Sequence, residues 1–193
     1  MLERRAAIKI LLANWSEDLF VVPGLGSTTY DVASLGDNDR AFYLWGAMGG
    51  AAMIGLGVAL AQPKRKVAVI TGDGEMLMGM GALATIGVKQ PSNLAVIVFD
   101  NGQYGETGAQ ANHTGSGADL TAVAKACGIA NTMDVRDAAG LRELAGKLAR
   151  LDKTLFARVA IKTEEAPRVL PVRDGVALKL RFRRAMGVGE AIL

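Results

Sequence analysis

The sequence predicts an α/β protein, a single-domain doubly wound parallel sheet with helices on both faces. Half of its 193 residues are hydrophobic and 24 are glycine, a composition suited to many tight strand-to-helix turns. Short apolar runs rich in β-branched residues alternate with helical patterns along the chain, the order that marks parallel strands joined by crossover helices. Two of those runs end on Gly-rich polar clusters, Gly72-Asp73-Gly74-Glu75 and Asn101-Gly102-Gln103-Tyr104, and ligands of such sheets sit at the carboxyl ends of strands.

Each element has its own local reason. Leu2, Ala6, Ile10 and Leu11 recur at helical spacing, so residues 2–14 read as an amphipathic helix and not as a signal peptide. A strand over 19–22 runs into the Gly-rich loop 23–28. A short strand over 43–45 and a buried helix over 46–61 follow, then a strand over 67–71. Residues 75–88 carry Met76, Leu77, Met80, Leu83, Ala84 and Ile86, a wide apolar face for one helix, with its methionines as packing. Leu94 to Phe99 reads as a strand. Residues 101–117 form a long polar loop, and loops of that length inside a compact domain are usually functional. A helix capped near Asp119, a strand over 131–135, a helix over 136–150 and a strand over 155–161 complete the alternation. The last stretch, 164–193, reads as a basic tail in which Lys179, Arg181 and Arg183 alternate as in an extended segment.

Composition excludes several classes. The single Cys127 permits no internal disulfide and no Cys/His zinc pattern, which suits a reducing cytoplasm. The net charge of +3 is mild, and the basic residues are not interleaved with stacking aromatics, so a nucleic-acid partner is disfavoured. Residues 41–61 lack charge, but their five glycines and strand-like start favour a buried helix over a membrane span.

The chemistry lies in the pair of clusters. Asp73 precedes Asn101 by 28 residues, a spacing that can bring a carboxylate and an amide oxygen to the ends of neighbouring parallel strands. Together they can hold Mg²⁺ bound to a diphosphate, because Mg²⁺ takes hard oxygen ligands from one or two side chains plus phosphates. Gly72 and Gly74 let the chain turn so that backbone N–H groups and the start of the following helix face phosphate oxygens. The dinucleotide alternative lacks its third glycine after Gly24-Leu25-Gly26, and no Walker loop occurs.

These residues, with Leu44-Trp45-Gly46-Ala47-Met48-Gly49, resemble the diphosphate-binding half of thiamine-diphosphate-dependent enzymes. Leu77 to Thr85 and Asp100 to Gly108 are most similar to the sulfopyruvate decarboxylase β subunits and phosphonopyruvate decarboxylases. The resemblance implies that Asp73, Asn101 and the Gln103 carbonyl bind Mg²⁺, and that Gly72, Gly74 and Glu75 line the diphosphate with Gly24 and Ser27 nearby. It further implies that the Gly46 carbonyl meets the aminopyrimidine, that Met48 is the wedge that bends the cofactor, and that Tyr104 begins a covering loop. Glu75 departs from the Ser or Ala of many relatives, and a negative group beside diphosphate is unfavourable unless it points outward.

Family enzymes draw the glutamate that activates the pyrimidine from a separate domain, and no glutamate here has a matching context. The resemblance therefore implies an α subunit carrying the pyrimidine-binding domain, in a hetero-oligomer, with a homodimer of this chain alone as the alternative. The implied reaction is decarboxylation of a short anionic 2-oxo acid. An acetolactate-synthase-like carboligase subunit and a non-catalytic cofactor-binding or regulatory module are the alternatives. His113, the one histidine, is the candidate substrate or proton-transfer group, since imidazole is suited to general acid–base work; an exposed, loop-stabilising role is the other reading.

Overall fold

Five parallel strands form the central sheet in the order β1-β2-β3-β7-β6. In the computed structural model, residues 1–189 are described. The strands are β1 (Leu19–Pro23), β2 (Lys66–Gly72), β3 (Leu94–Asp100), β6 (Thr132–Val135) and β7 (Leu155–Ala160). The hairpin strands β4 (Gln103–Tyr104) and β5 (Gln110–Ala111) pair antiparallel beyond the end of β3. The helices are α1 (Arg4–Leu11), α2 (Ser27–Ala33), α3 (Ala51–Ala61), α4 (Asp73–Met78), α5 (Ala82–Lys89), α6 (Leu120–Ala126), α7 (Ala138–Ala149) and α8 (Gly175–Ala185).

The period of two along the central strands divides the core. Ala68 and Ile70 of β2, with Ala95, Ile97 and Phe99 of β3, face Ile8 and Leu11 of α1, Val32 of α2, and Leu141, Leu144 and Leu148 of α7. Val67 and Val69, with Leu94, Val96 and Val98, face Leu56 of α3, Met76 of α4, Leu83 and Ile86 of α5, and Leu120 of α6. Because both faces are covered, β2 and β3 are apolar at nearly every position, and each large side chain so buried contributes about 1.5–3 kcal/mol. Asp119 caps α6 and Asp137 caps α7, each carboxylate accepting from backbone N–H groups of the first turn. Among the described residues no helix is long and apolar enough to cross a membrane.

The structure corrects five boundaries. The expected loop 23–28 ends early, because Gly26 takes a positive φ of 78° and α2 starts at Ser27. Residues 40–44 run beside β1, with Phe42 donating to the Val21 carbonyl, but form only an isolated bridge at Ala41 instead of a strand over 43–45. The helix expected from Gly46 begins at Ala51, since Ala47 (φ 58°) and Gly49 (φ 89°) lie in the left-handed region. The expected helix 75–88 is two helices broken at 79–81. A methyl group on Gly79 would lie 2.1 Å from the Gly49 carbonyl oxygen, so the break is a close backbone approach.

The fifth correction is the basic tail. Residues 175–185 form α8, capped by Asp174, whose carboxylate accepts from Val176 and Ala177 N–H. Leu178 and Phe182, one turn apart, are both buried, and Phe182 packs against the rings of Phe20 and Phe42 at 5.5 and 5.4 Å. Arg181 pairs with Asp37 through both terminal nitrogens. Arg168, Arg173 and Arg181 stack over Tyr30, Trp45 and Tyr43. The tail thus lies as a strap along the β1 side of the molecule. Residues 190–193 of the expected tail lie outside the described residues.

Candidate cofactor site

The segments that follow β1, β2, β3 and β7 all emerge at the carboxyl edge of the sheet, and they enclose a cavity of about 360 Å³. The chain reaches the far edge strand β6 before returning to β7 beside β3. The order therefore reverses next to β3, and a crevice opens at such a reversal. Ser27, Met48, Gly72, Asp73, Gly74, Glu75, Asn101, Gln103 and Tyr104 all line the cavity. Gly24 and Gly46 do not: Gly24 is buried beneath Glu75, and Gly46 lies exposed in the loop before α3.

Asp73 opens α4 at the end of β2 and is 4% exposed. Its Oδ1 accepts from Gly74 N–H at 2.9 Å, while Oδ2 accepts from Gly102 N–H and Asn112 Nδ2, both at 2.8 Å. Asp100, at the end of β3, accepts from Gly102 N–H and Thr114 Oγ1 and pairs with Arg158 of β7. Burial, and then the facing Asp100, push the Asp73 carboxyl up to about 6. For Asp100, burial also opposes the charge, yet hydrogen bonds with Asp73, Arg158 and Thr114 outweigh it and hold the carboxyl below its usual range. Arg158 thereby compensates a second carboxylate beside the first. Asn101 Oδ1 accepts from Gln103 N–H at 3.0 Å, and this turn keeps the amide and the Gln103 backbone together.

Glycine has a steric role at Gly74, where a Cβ would sit 2.7 Å from the Tyr104 ring. Neither Gly72 nor Gly74 has a positive φ, so a sharp glycine turn is not the reason for the pair. A Cβ on Gly72 would meet no protein atom, and the glycine leaves that part of the cavity wall bare.

Glu75 does not point outward but into the protein. It is 5% exposed, and its Oε2 accepts from Thr71 Oγ1 at 2.7 Å and Leu25 N–H at 3.0 Å. Burial raises its pKa, opposed by Thr71 and by the backbone N–H groups of Leu25, Ala51 and Gly49. Glu75 thus ties the loop after β1 to the end of β2. A Cβ on Gly24 would lie 1.8 Å from its Oε2, so glycine at 24 is the complement of glutamate at 75.

His113 is exposed and outside the cavity lining, while its neighbour Asn112 is buried at 3% and turned toward Asp73. Sequence reasoning also missed Thr114, Arg158 and the buried ion pairs of Arg4 and Arg5 with Asp31. It missed Glu106, which accepts from Ser27 Oγ and pairs with Arg168 across the mouth. The one available signal was polarity: Asn112 and Thr114 stand in a segment too polar to pack and too long to be a mere connection.

Comparison with known proteins agrees with this architecture. Residues 25–159 match the family described as thiamine pyrophosphate enzyme, C-terminal TPP binding domain. The chain is 48% identical over 125 residues to a phosphonopyruvate decarboxylase of Streptomyces viridochromogenes, a match covering 65% of this chain and 31% of that enzyme. It is 37% identical over 188 residues to a sulfopyruvate decarboxylase subunit beta of Methanococcus maripaludis, covering 96% of this chain and 98% of that subunit. The fold is that of benzoylformate decarboxylase from Polynucleobacter necessarius, with a TM-score of 0.69 at 21% identity over 86% of this chain and 34% of that one. The match thus spans about a third of the length of the phosphonopyruvate decarboxylase and of the benzoylformate decarboxylase.

Proposed function

Since the chain belongs to the thiamine pyrophosphate enzymes, through the domain that binds the cofactor, we propose that it is the β subunit of a decarboxylase acting on a short anionic 2-oxo acid. It contributes the Mg²⁺ and diphosphate half of the active site. The observation that carries this reading is the convergence of Asp73, Asn101 and Gln103 on one cavity at the ends of β2 and β3.

The donor set fits the metal. A carboxylate, an amide oxygen and a backbone carbonyl are hard ligands, and Mg²⁺ keeps its other positions for phosphate and water. The lining also carries Asp31, Asp73, Glu75, Glu106, Glu164 and Glu165 against Arg4 and Arg168. Such a wall repels a bare diphosphate, and a divalent cation bound with it removes the conflict. When bound, thiamine diphosphate supplies the electron sink for loss of CO₂. Met48, in the cavity lining, would pack against the cofactor, and the bare wall at Gly72 would leave room for it. The 101–111 hairpin, which brings Tyr104 to the cavity wall, would exclude water from it.

The partner would be an α subunit bearing the pyrimidine-binding domain and its glutamate. That assignment is favoured by the full-length match to a protein named subunit beta. The acidic lining argues that much of the recognition of a substrate sulfonate or phosphonate comes from that partner.

The test is metal-dependent thiamine diphosphate binding to the wild-type chain, Asp73→Ala and Asn101→Ala. CO₂ release from sulfopyruvate, phosphonopyruvate and pyruvate is then measured after co-expression with a pyrimidine-domain subunit. Both substitutions should abolish divalent-ion dependence. Cofactor binding without CO₂ release from any of the three acids would refute decarboxylation, and a coupled product with an acceptor ketoacid would indicate carboligation.

A further inference from the structure

We propose that Asn112 is a positioning residue for Asp73, fixing which carboxylate oxygen meets the divalent cation and tying that carboxylate to the loop over the cavity. The inference rests on the metal reading above. Asn112 is 3% exposed, and its polar groups are engaged on both sides. Nδ2 donates to Asp73 Oδ2 at 2.8 Å. Oδ1 accepts from Thr114 N–H at 2.9 Å, Thr114 Oγ1 at 2.7 Å and Gly115 N–H at 3.2 Å. Its backbone N–H donates to the Gly102 carbonyl at 2.9 Å.

The two oxygens of Asp73 are therefore unequal. Oδ2 receives the undivided Asn112 Nδ2–H and a share of the Gly102 N–H, which also donates to Asp100 Oδ1 at 2.9 Å, and it lies 3.2 Å from Thr114 Oγ1. The Thr114 hydroxyl has one proton for three acceptors, Asp73, Asp100 and Asn112, so it cannot replace either amide. An oxygen approached by three donors, with Asn112 as its one undivided partner, has less lone-pair capacity left for a cation than Oδ1, which has only the Gly74 N–H. The geometry assigns the cation to Oδ1. A side-chain donor that orients a ligating carboxylate typically changes metal affinity about 10- to 100-fold when removed.

Asn112 also closes the hairpin. Residues 103–111 leave Gly102 and return at Asn112, and a Cβ on Gly115 would lie 2.6 Å from the Gly102 carbonyl oxygen. The loop that carries Gln103, Tyr104 and Glu106 is thus latched at its base to the same carboxylate, so cation binding and loop order are coupled through one side chain.

The experiment measures Mn²⁺ affinity by electron paramagnetic resonance, with thiamine diphosphate present, for the full wild-type chain, Asp73→Ala, Asn112→Ala and Asn112→Asp. Hydrogen exchange of residues 103–111 is followed with and without metal. Asn112→Ala should weaken Mn²⁺ binding about 10- to 100-fold and abolish the metal-induced protection of the loop, at temperatures where the variant is folded. Asn112→Asp keeps the acceptor that holds Thr114 and Gly115 but loses the donor, and it should weaken Mn²⁺ binding at least tenfold. A folded Asn112→Ala or Asn112→Asp with unchanged or tighter affinity overturns the inference. If the wild type and Asp73→Ala bind Mn²⁺ alike, the metal reading itself fails, a result distinct from failure at Asn112 alone.

Discussion

Replacing Asp73 by Asn should change how the stability of the metal-free chain depends on pH. The native carboxyl keeps its proton up to about pH 6, against 3.8 for the unperturbed group. Between those values the folded chain holds a proton that the unfolded chain has released. Stability from this group is therefore fully present below pH 4 and is drained as pH rises through 6. At about 1.36 kcal/mol per pKa unit the loss is on the order of 3 kcal/mol, with little solvent screening because Asp73 is 4% exposed. Asn does not titrate, so the wild-type minus Asp73→Asn stability should fall by roughly that amount between pH 4 and 7. Asp100 works with the opposite sign and at lower pH, because its carboxyl lies below the usual range and its contribution fades on acidification. Urea unfolding with chelator, at fixed ionic strength and half-unit pH steps, measures the difference. A flat difference, or one that grows with pH, would refute the account of Asp73 as a carboxylate strained by burial and by its neighbour.

Three further outcomes follow from packing. Gly79→Ala places a methyl group against the backbone of Gly49 and should cost about 1–3 kcal/mol, measured by thermal melting, and weaken cofactor binding by displacing the Met48 loop. Gly81→Ala, where a Cβ meets nothing, should be neutral or slightly stabilising. Phe182→Ala removes a buried ring lodged against Phe20 and Phe42. A loss of about 3 kcal/mol is expected in chemical unfolding, with earlier proteolysis within α8.

Legibility followed burial and period. β2 and β3 were readable because a strand covered on both faces is apolar throughout, and α6 because Asp119 announces its start. The placement of Asp73 and Asn101 just beyond neighbouring strand ends was readable because each apolar run stops where a polar, Gly-rich cluster begins. Three features were hidden. The break at Gly79 depends on Gly49, thirty positions away, and no local pattern encodes a remote backbone contact. The inward turn of Glu75 required knowing that Gly24 would leave space above it. Arg158 and Asn112 act through partners more than thirty-five residues distant, and their roles exist only once β7 lies beside β3 and the hairpin folds back. In the tail, spacing by two suggested extension for Lys179, Arg181 and Arg183, whereas Leu178 and Phe182, four apart, decided for a helix.

The two margins of the sheet bear on how the chain can assemble. Along β1, the outward N–H and C=O of Val21 are already taken by Arg40 and Phe42. At the other margin, β6 is four residues long and carries Asp134, paired with Arg136 and Arg158. Neither rim offers a template for a visiting strand, so polymerisation by sheet continuation is blocked at both ends. Growth of any complex is left to side-chain surfaces.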